Sequence, residues 1–103
     1  MDLIRKIEQW GEDRGFYHPE HGTTVEGQFL KLTEEMGELA SDIVRGRSPK
    51  DSIGDMVVVL VGIAKLNGTS LQECMEHAYN EIKDRKGKMV NRIFVKEEDL
   101  NAK

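Results

Sequence analysis

Cysteine is almost absent from this 103-residue chain. Cys74 stands alone, which excludes an intramolecular disulfide framework and any zinc site built from several thiolates. On an apolar helical face, that thiol is expected to be buried and structural. Proline occurs only at Pro19 and Pro49, so little of the chain is barred from helix. Long hydrophobic runs are also missing. The longest apolar stretch, Met56 to Ala64, is about half of the ~20 residues that span a bilayer, so no membrane partner is expected. The amphipathic start MDLIRKIEQW lacks the uninterrupted apolar stretch of a signal peptide, and the expectation is a cytoplasmic protein. Excess positive charge is lacking too. With a formal net charge of -4 and a pI of about 5.4, nothing global steers the chain towards nucleic acid.

What the chain does contain is charge in helical register: 33% of residues are charged against 38% hydrophobic, a balance that suits a strongly helical domain. At this length one domain is expected over residues 1–103, with a helical core over about 2–87 and a tail over 88–103. Leu3, Ile4, Ile7 and Trp10 set a first helix from about Asp2 to Gly15, followed by the loop GFYHPEHGTT. Thr23 or Thr24 caps the second helix; only Thr23 with Glu26 matches a capping box. Val25, Phe29, Leu32, Met36, Leu39, Ala40 and Ile43 form its apolar stripe.

Ser48 and Pro49 then open a third helix, DSIGDMVVVLVGIAKL, apolar almost all round and therefore the most buried. Asn67-Gly68 stops it, and Ser70 with Glu73 starts the fourth, whose expected inner face is Leu71, Cys74, Ala78 and Ile82. Gly87 ends that helix, and Arg92 to Val95 is a short β-like run in the tail. The predicted class is all-α with four helices.

Projected at about 100° per residue, Glu35 falls at the border of the second helix's apolar stripe. Glu38, Asp42, Gln28 and Lys31 lie on the same side, and Glu34 farther towards solvent. Glu35 and Glu38, one turn apart, can converge on one point. Asp55 abuts the most apolar segment of the chain, where a charge needs a partner or a metal to offset desolvation. Asp51, three residues after Ser48, suits either a capping role or the same cluster. The short turn at 45–50 brings the two helices alongside, so Glu35 and Glu38 face Asp55 and Asp51. Oxygen-only ligands suit a hard cation, magnesium or manganese, which commonly takes its remaining ligands from phosphates. A di-iron bundle requires Glu-x-x-His pairs, and no histidine here has a glutamate three residues before it. His18 and His21 are expected to be exposed loop residues.

Together, EEMGEL and DSIGDMVVVLVGIA resemble the EExxE…ExxD signature of the MazG-like, all-α nucleoside triphosphate pyrophosphohydrolases. The resemblance runs through AYNEIKDRKGKMVNRIFVKEED and covers residues 25–98. It implies a four-helix core assembled into dimers or tetramers, and magnesium-dependent cleavage of a nucleoside triphosphate to monophosphate and pyrophosphate. The second and third acids of EExxE match Glu35 and Glu38, and the aspartate of ExxD matches Asp55. The glutamate of ExxD falls at Ser52, leaving Asp51, one position earlier, as its substitute. Asn80 and Lys83 match the family's Asn…Lys pattern and imply contact with the triphosphate.

Arg85, Lys86 and Lys88 either assist there or complement a helix C-terminus. Lys31 joins the substrate-binding candidates, and Glu34 or Glu35 the candidates for accepting a proton from water. Trp10, or Phe16 and Tyr17, would stack on a base, although helical spacing with Leu3 and Ile7 favours core packing for Trp10. The expected function is a Mg2+-dependent nucleotide pyrophosphohydrolase; the alternative is a nucleotide-binding, weakly active or inactive homo-oligomeric scaffold. Gly37 and Gly54 each precede a proposed ligand and are expected to let the second and third helices approach closely.

Overall fold

The computed structural model describes residues 2–100, which are mostly helical with a small antiparallel hairpin. Helix α1 spans Leu3–Asp13, capped by Asp2, whose carboxylate accepts from the Arg5 amide at 2.9 Å. Its C-terminal loop turns at Gly15, where a φ of +75° favours glycine. Helix α2, Val25–Val44, is capped by Thr24 rather than Thr23; the Thr24 hydroxyl accepts from the Gly27 amide at 3.0 Å. The Thr23 hydroxyl accepts from the Gln28 side chain instead, at 3.2 Å. Helix α3, Lys50–Leu66, begins after Pro49 with no side-chain cap, so Asp51 has no capping-box partner in Ser48.

The turn 45–49 folds α3 back along α2, and this pair makes the largest helix–helix contact; α1 packs on α3. As its composition dictates, α3 carries the core. Val59, Val61 and Ala64 are the buried hydrophobic residues among those described, with Val61 fully enclosed.

The glycines act differently from the expectation. A Cβ placed on Gly37 or Gly54 would meet nothing within 4 Å, so neither is a point of close helix approach. Gly62 is the close one: its added Cβ would lie 3.2 Å from Gln28 Oε1 on α2.

Helix α4, Leu71–Ile82, is capped by Ser70 as its sequence specifies, the hydroxyl accepting from the Glu73 amide at 3.1 Å. It ends five residues before Gly87, and it leaves α3 at 99° instead of folding back. Every α4 residue after Leu71 is exposed. The expected inner face is therefore uncovered within the chain, and Cys74 is an exposed thiol, not a buried one. Strands β1 (Gly87–Val90) and β2 (Ile93–Lys96) pair antiparallel around a two-residue turn, with Asn91 and Arg92 both at positive φ. One turn of helix, α5 (Glu97–Leu100), follows.

The hairpin extends the β-like run expected in the tail. Arm and body together give a radius of gyration of 17.3 Å, against about 13 Å for a closely packed chain of ~100 residues. Among the described residues no single helix is long and apolar enough to cross a membrane.

Candidate metal centre and adjoining cleft

Three of the four carboxylates singled out in the sequence come together. Oxygens of Glu35, Glu38 and Asp55 all lie within 4.8 Å of one another, two side chains from α2 and one from α3. The spacing in α2 is one helical turn, and the folded-back α3 brings Asp55 opposite it. Glu35 is the inner member at 4% exposure, while Glu38 and Asp55 open to solvent. Lys31 holds Glu35 Oε1 at 3.3 Å and reaches Glu34 at 3.6 Å. The other oxygen, Glu35 Oε2, is buried with no hydrogen-bond partner.

An unpartnered buried carboxylate oxygen is costly. Like charge aggravates it: Glu35 pushes the Glu38 carboxyl above its ordinary range, with desolvation adding to the effect. The hydrogen bond to Glu35 and the charge of Glu34 raise the Lys31 ammonium in turn. A hard divalent cation fits this donor set, because it would satisfy Glu35 Oε2 and relieve the repulsion that Lys31 alone offsets only in part.

Asp51 is exposed and lies outside the cluster. Ser52, where the resemblance calls for a glutamate, is turned into the α2–α3 seam at 3% exposure and donates to Asp42 Oδ2 at 2.6 Å. Arg47 Nε donates to the other Asp42 oxygen at 3.0 Å. That hydroxyl, followed by the arginine, holds the Asp42 carboxyl below its usual range. Position 52 thus serves the packing of the two helices, and the substitution of Asp51 for the missing ligand does not occur in this geometry. A side chain at 51 starts a full turn before Asp55 and projects to solvent.

Beside the carboxylates lies a cleft of about 540 Å³ whose lining includes Trp10, Phe16, Gln28, Lys31, Glu35 and Asp55. The loop after α1 builds its aromatic wall. Phe16 stands edge-on to Trp10 with ring centroids 5.1 Å apart, and the Arg14 guanidinium caps the indole at 4.5 Å. Trp10 is 42% exposed, so the expectation of core packing for it is only half met. Tyr17 turns away to pack on buried Gly11, and burial raises its phenol. Gln28 was weighed in the sequence only as a neighbour on the same helical side. Its place against Gly62 depends on a contact between helices that helical spacing does not encode.

Asn80, Lys83 and Arg85 are not brought to this cleft. The first two sit on exposed α4 and the turn after it, and Arg85 lines a separate hollow with Lys86, Lys96 and Glu98. His18 and His21 are exposed and stack face to face at 3.6 Å.

No family model matches the chain, and no solved structure matches it. Over 69 residues, 65% of its length, it is 48% identical to the "Uncharacterized 18.2 kDa protein in rep-hol intergenic region" of Haemophilus phage HP1 (strain HP1c1). The chain spans 40% of that protein's length.

Proposed function

We propose that this chain is a Mg2+- or Mn2+-dependent nucleoside triphosphate pyrophosphohydrolase of the MazG-like, all-α type, cutting between the α- and β-phosphates. The observation that carries the reading is a three-carboxylate cluster bordering an aromatic cleft, whose inner member, Glu35, has a buried oxygen, Oε2, with no hydrogen-bond partner. Held by Glu35, Glu38 and Asp55, such a cation would supply charge neutralisation of the phosphates and acidification of a bound water. Lys31, half exposed and already at the cluster, offers its ammonium to the phosphates. Glu34 is free enough of the core, at 62% side-chain exposure, to accept the water's proton. Trp10 and Phe16 offer the apolar wall against which a nucleobase stacks.

The test is product analysis: purified protein with each nucleoside triphosphate and magnesium yields monophosphate and pyrophosphate. Orthophosphate release, or no turnover of any nucleotide, sinks the reading.

A second reading rests on Ser52. With that position committed to Asp42, the centre has three carboxylates where the resembled family has four, which favours a nucleotide-binding protein of weak or no turnover. Calorimetry with a non-hydrolysable triphosphate separates the two: binding without turnover of the natural nucleotide selects the binder.

A further inference from the structure

Four side chains with a charge or an amide line the aromatic cleft: Lys31, Glu35, Asp55 and Gln28. The first three belong to the carboxylate centre and its phosphate contact, which leaves Gln28 without a role. It lies on the same side of α2 as Glu35 and seven residues earlier, two turns or roughly 10 Å along the axis. A nucleotide with its phosphates at Glu35 places its ribose over the first of those turns and its base over the second. Phe16 and Gln28 both line the cleft of about 540 Å³ and the neighbouring hollow of about 450 Å³, so aromatic ring and amide meet at that end.

The amide is held from two sides. Gln28 Nε2 donates to Thr23 Oγ1 at 3.2 Å. Its oxygen lies against buried Gly62 of α3, where an added Cβ would come within 3.2 Å of Oε1. A side-chain amide supplies two N–H donors and an oxygen acceptor. Among the described residues Thr23 takes one N–H, and the other N–H and Oε1 have no hydrogen-bond partner. One donor therefore stands beside one acceptor, in a half-buried and fixed position. That pair is what a glutamine uses to read the edge of a base.

We infer that Gln28 is the specificity-determining residue of this cleft and that the base it selects is adenine. The inference rests on the nucleotide reading given above. Adenine presents its N6 amine beside a ring acceptor on either edge, N7 on one and N1 on the other, so a single orientation of the amide satisfies both. Guanine offers two acceptors, O6 and N7, on the first edge and the reverse order, O6 with N1–H, on the second. The pyrimidines have only the second kind of edge and one ring to lay on Phe16. Thr23 and Gly62 are positioning residues, which fix the way round that the amide stands.

Calorimetric titration with Mg2+ tests this. The probes are the α,β-methylene analogues of ATP, GTP, CTP and UTP, which the proposed cleavage cannot hydrolyse, and inorganic tripolyphosphate, which has no base. Wild type is expected to bind the ATP analogue about tenfold or more tightly than the GTP analogue, as a bidentate contact allows. Gln28→Leu is expected to lose that preference and keep its affinity for tripolyphosphate. Thr23→Val, which leaves Gln28 in place but frees its amide to turn, narrows the same ratio with tripolyphosphate binding again unmoved. A merely structural loss would weaken every probe together, and circular dichroism melts establish that both variants are folded.

A GTP, CTP or UTP analogue that binds wild type as tightly as the ATP analogue overturns the inference. So does an adenine preference that survives in Gln28→Leu. In both cases the analogues still bind and the nucleotide reading stands. Wild type that binds none of the analogues overturns that reading and the inference with it, so the two failures are told apart.

Discussion

The body formed by α1, α2 and α3 and the arm formed by α4 and the hairpin both carry amphipathic helices, but only the body has an almost wholly apolar helix, α3, to pack them on. In the body, the 45–49 turn returns α3 along α2, so one stripe meets another and Val61 disappears from solvent. In the arm, a stripe just as regular stays exposed because the turn at 67–70 sends α4 off at 99°. Amphipathicity therefore states that a helix face needs cover, and the connecting turn decides whether its own chain provides it. The same division runs through the proposed chemistry: the cluster of Glu35, Glu38 and Asp55 belongs wholly to the body, while Asn80, Lys83 and Arg85 ride on the arm.

The largest expected effect is on the body's carboxylates. Glu38→Gln and Asp55→Asn are each expected to lower turnover about 100-fold or more. They also have an opposite signature without metal: relief of like-charge repulsion raises the metal-free melting temperature, and the rise that Mg2+ gives the wild type disappears. Calorimetric melts with and without Mg2+ check both. A Mg2+ response retained in both variants would remove the cluster from the reading.

Next comes packing, where the two regions should separate cleanly. Val61→Ala, in the fully enclosed position, is expected to cost about 2 kcal/mol in urea denaturation at any protein concentration. Ile82→Ala, at an exposed position on the arm, is expected to cost within about 0.5 kcal/mol in dilute protein. Equal costs for the two at high dilution would show that the arm packs within its own chain.

A smaller effect belongs to the α2–α3 seam and depends on pH. Asp42 is held below the ordinary aspartate range chiefly by the Ser52 hydroxyl. Stability from a lowered carboxylate is fully present above the ordinary range and is lost as pH falls through the lowered folded value. Ser52→Ala is therefore expected to be less stable than wild type at neutral pH, with the gap closing on acidification. Denaturation midpoints at neutral and strongly acidic pH measure it; a gap that widens on acidification contradicts the assignment.

The smallest effects come from the glycines. Gly54→Ala meets nothing and should gain roughly 0.5–1 kcal/mol from helix propensity alone, with the Mg2+ response intact. Gly62→Ala presses on the Gln28 amide and should gain less or lose. Paired melting curves compare them.

Much of this was legible in the sequence where the cause is local. The Ser70 cap, the stop at Asn67 and Gly68, and the regularity of α2 follow from side-chain oxygens, a positive-φ glycine and a 3.6-residue period. The convergence of Glu35 and Glu38 was legible for the same reason, being a property of one helix. Asp55 followed from a single short turn. Asp51 did not, because it starts a full turn before Asp55, about 6 Å farther along the helix axis, and a short aspartate side chain does not span that distance to the cluster. Cys74 and the rest of the α4 stripe were misread as inward-facing, because a stripe names a need for cover and not the neighbour that meets it. Gly37 and Gly54 were assigned a helix contact by their place next to ligands in sequence, whereas Gly62 makes the approach.

By itself the sequence determined the course of α1 to α4, the Ser70 cap and the acidic pair of α2, since each arises from interactions over one or two turns of chain. Only the tertiary structure decided which carboxylate joins that pair, that Ser52 binds Asp42 instead of standing at the centre, and that α4 points away from its own core. Those outcomes depend on the angle between helices, and that angle is set by packing and turns beyond the reach of any local period.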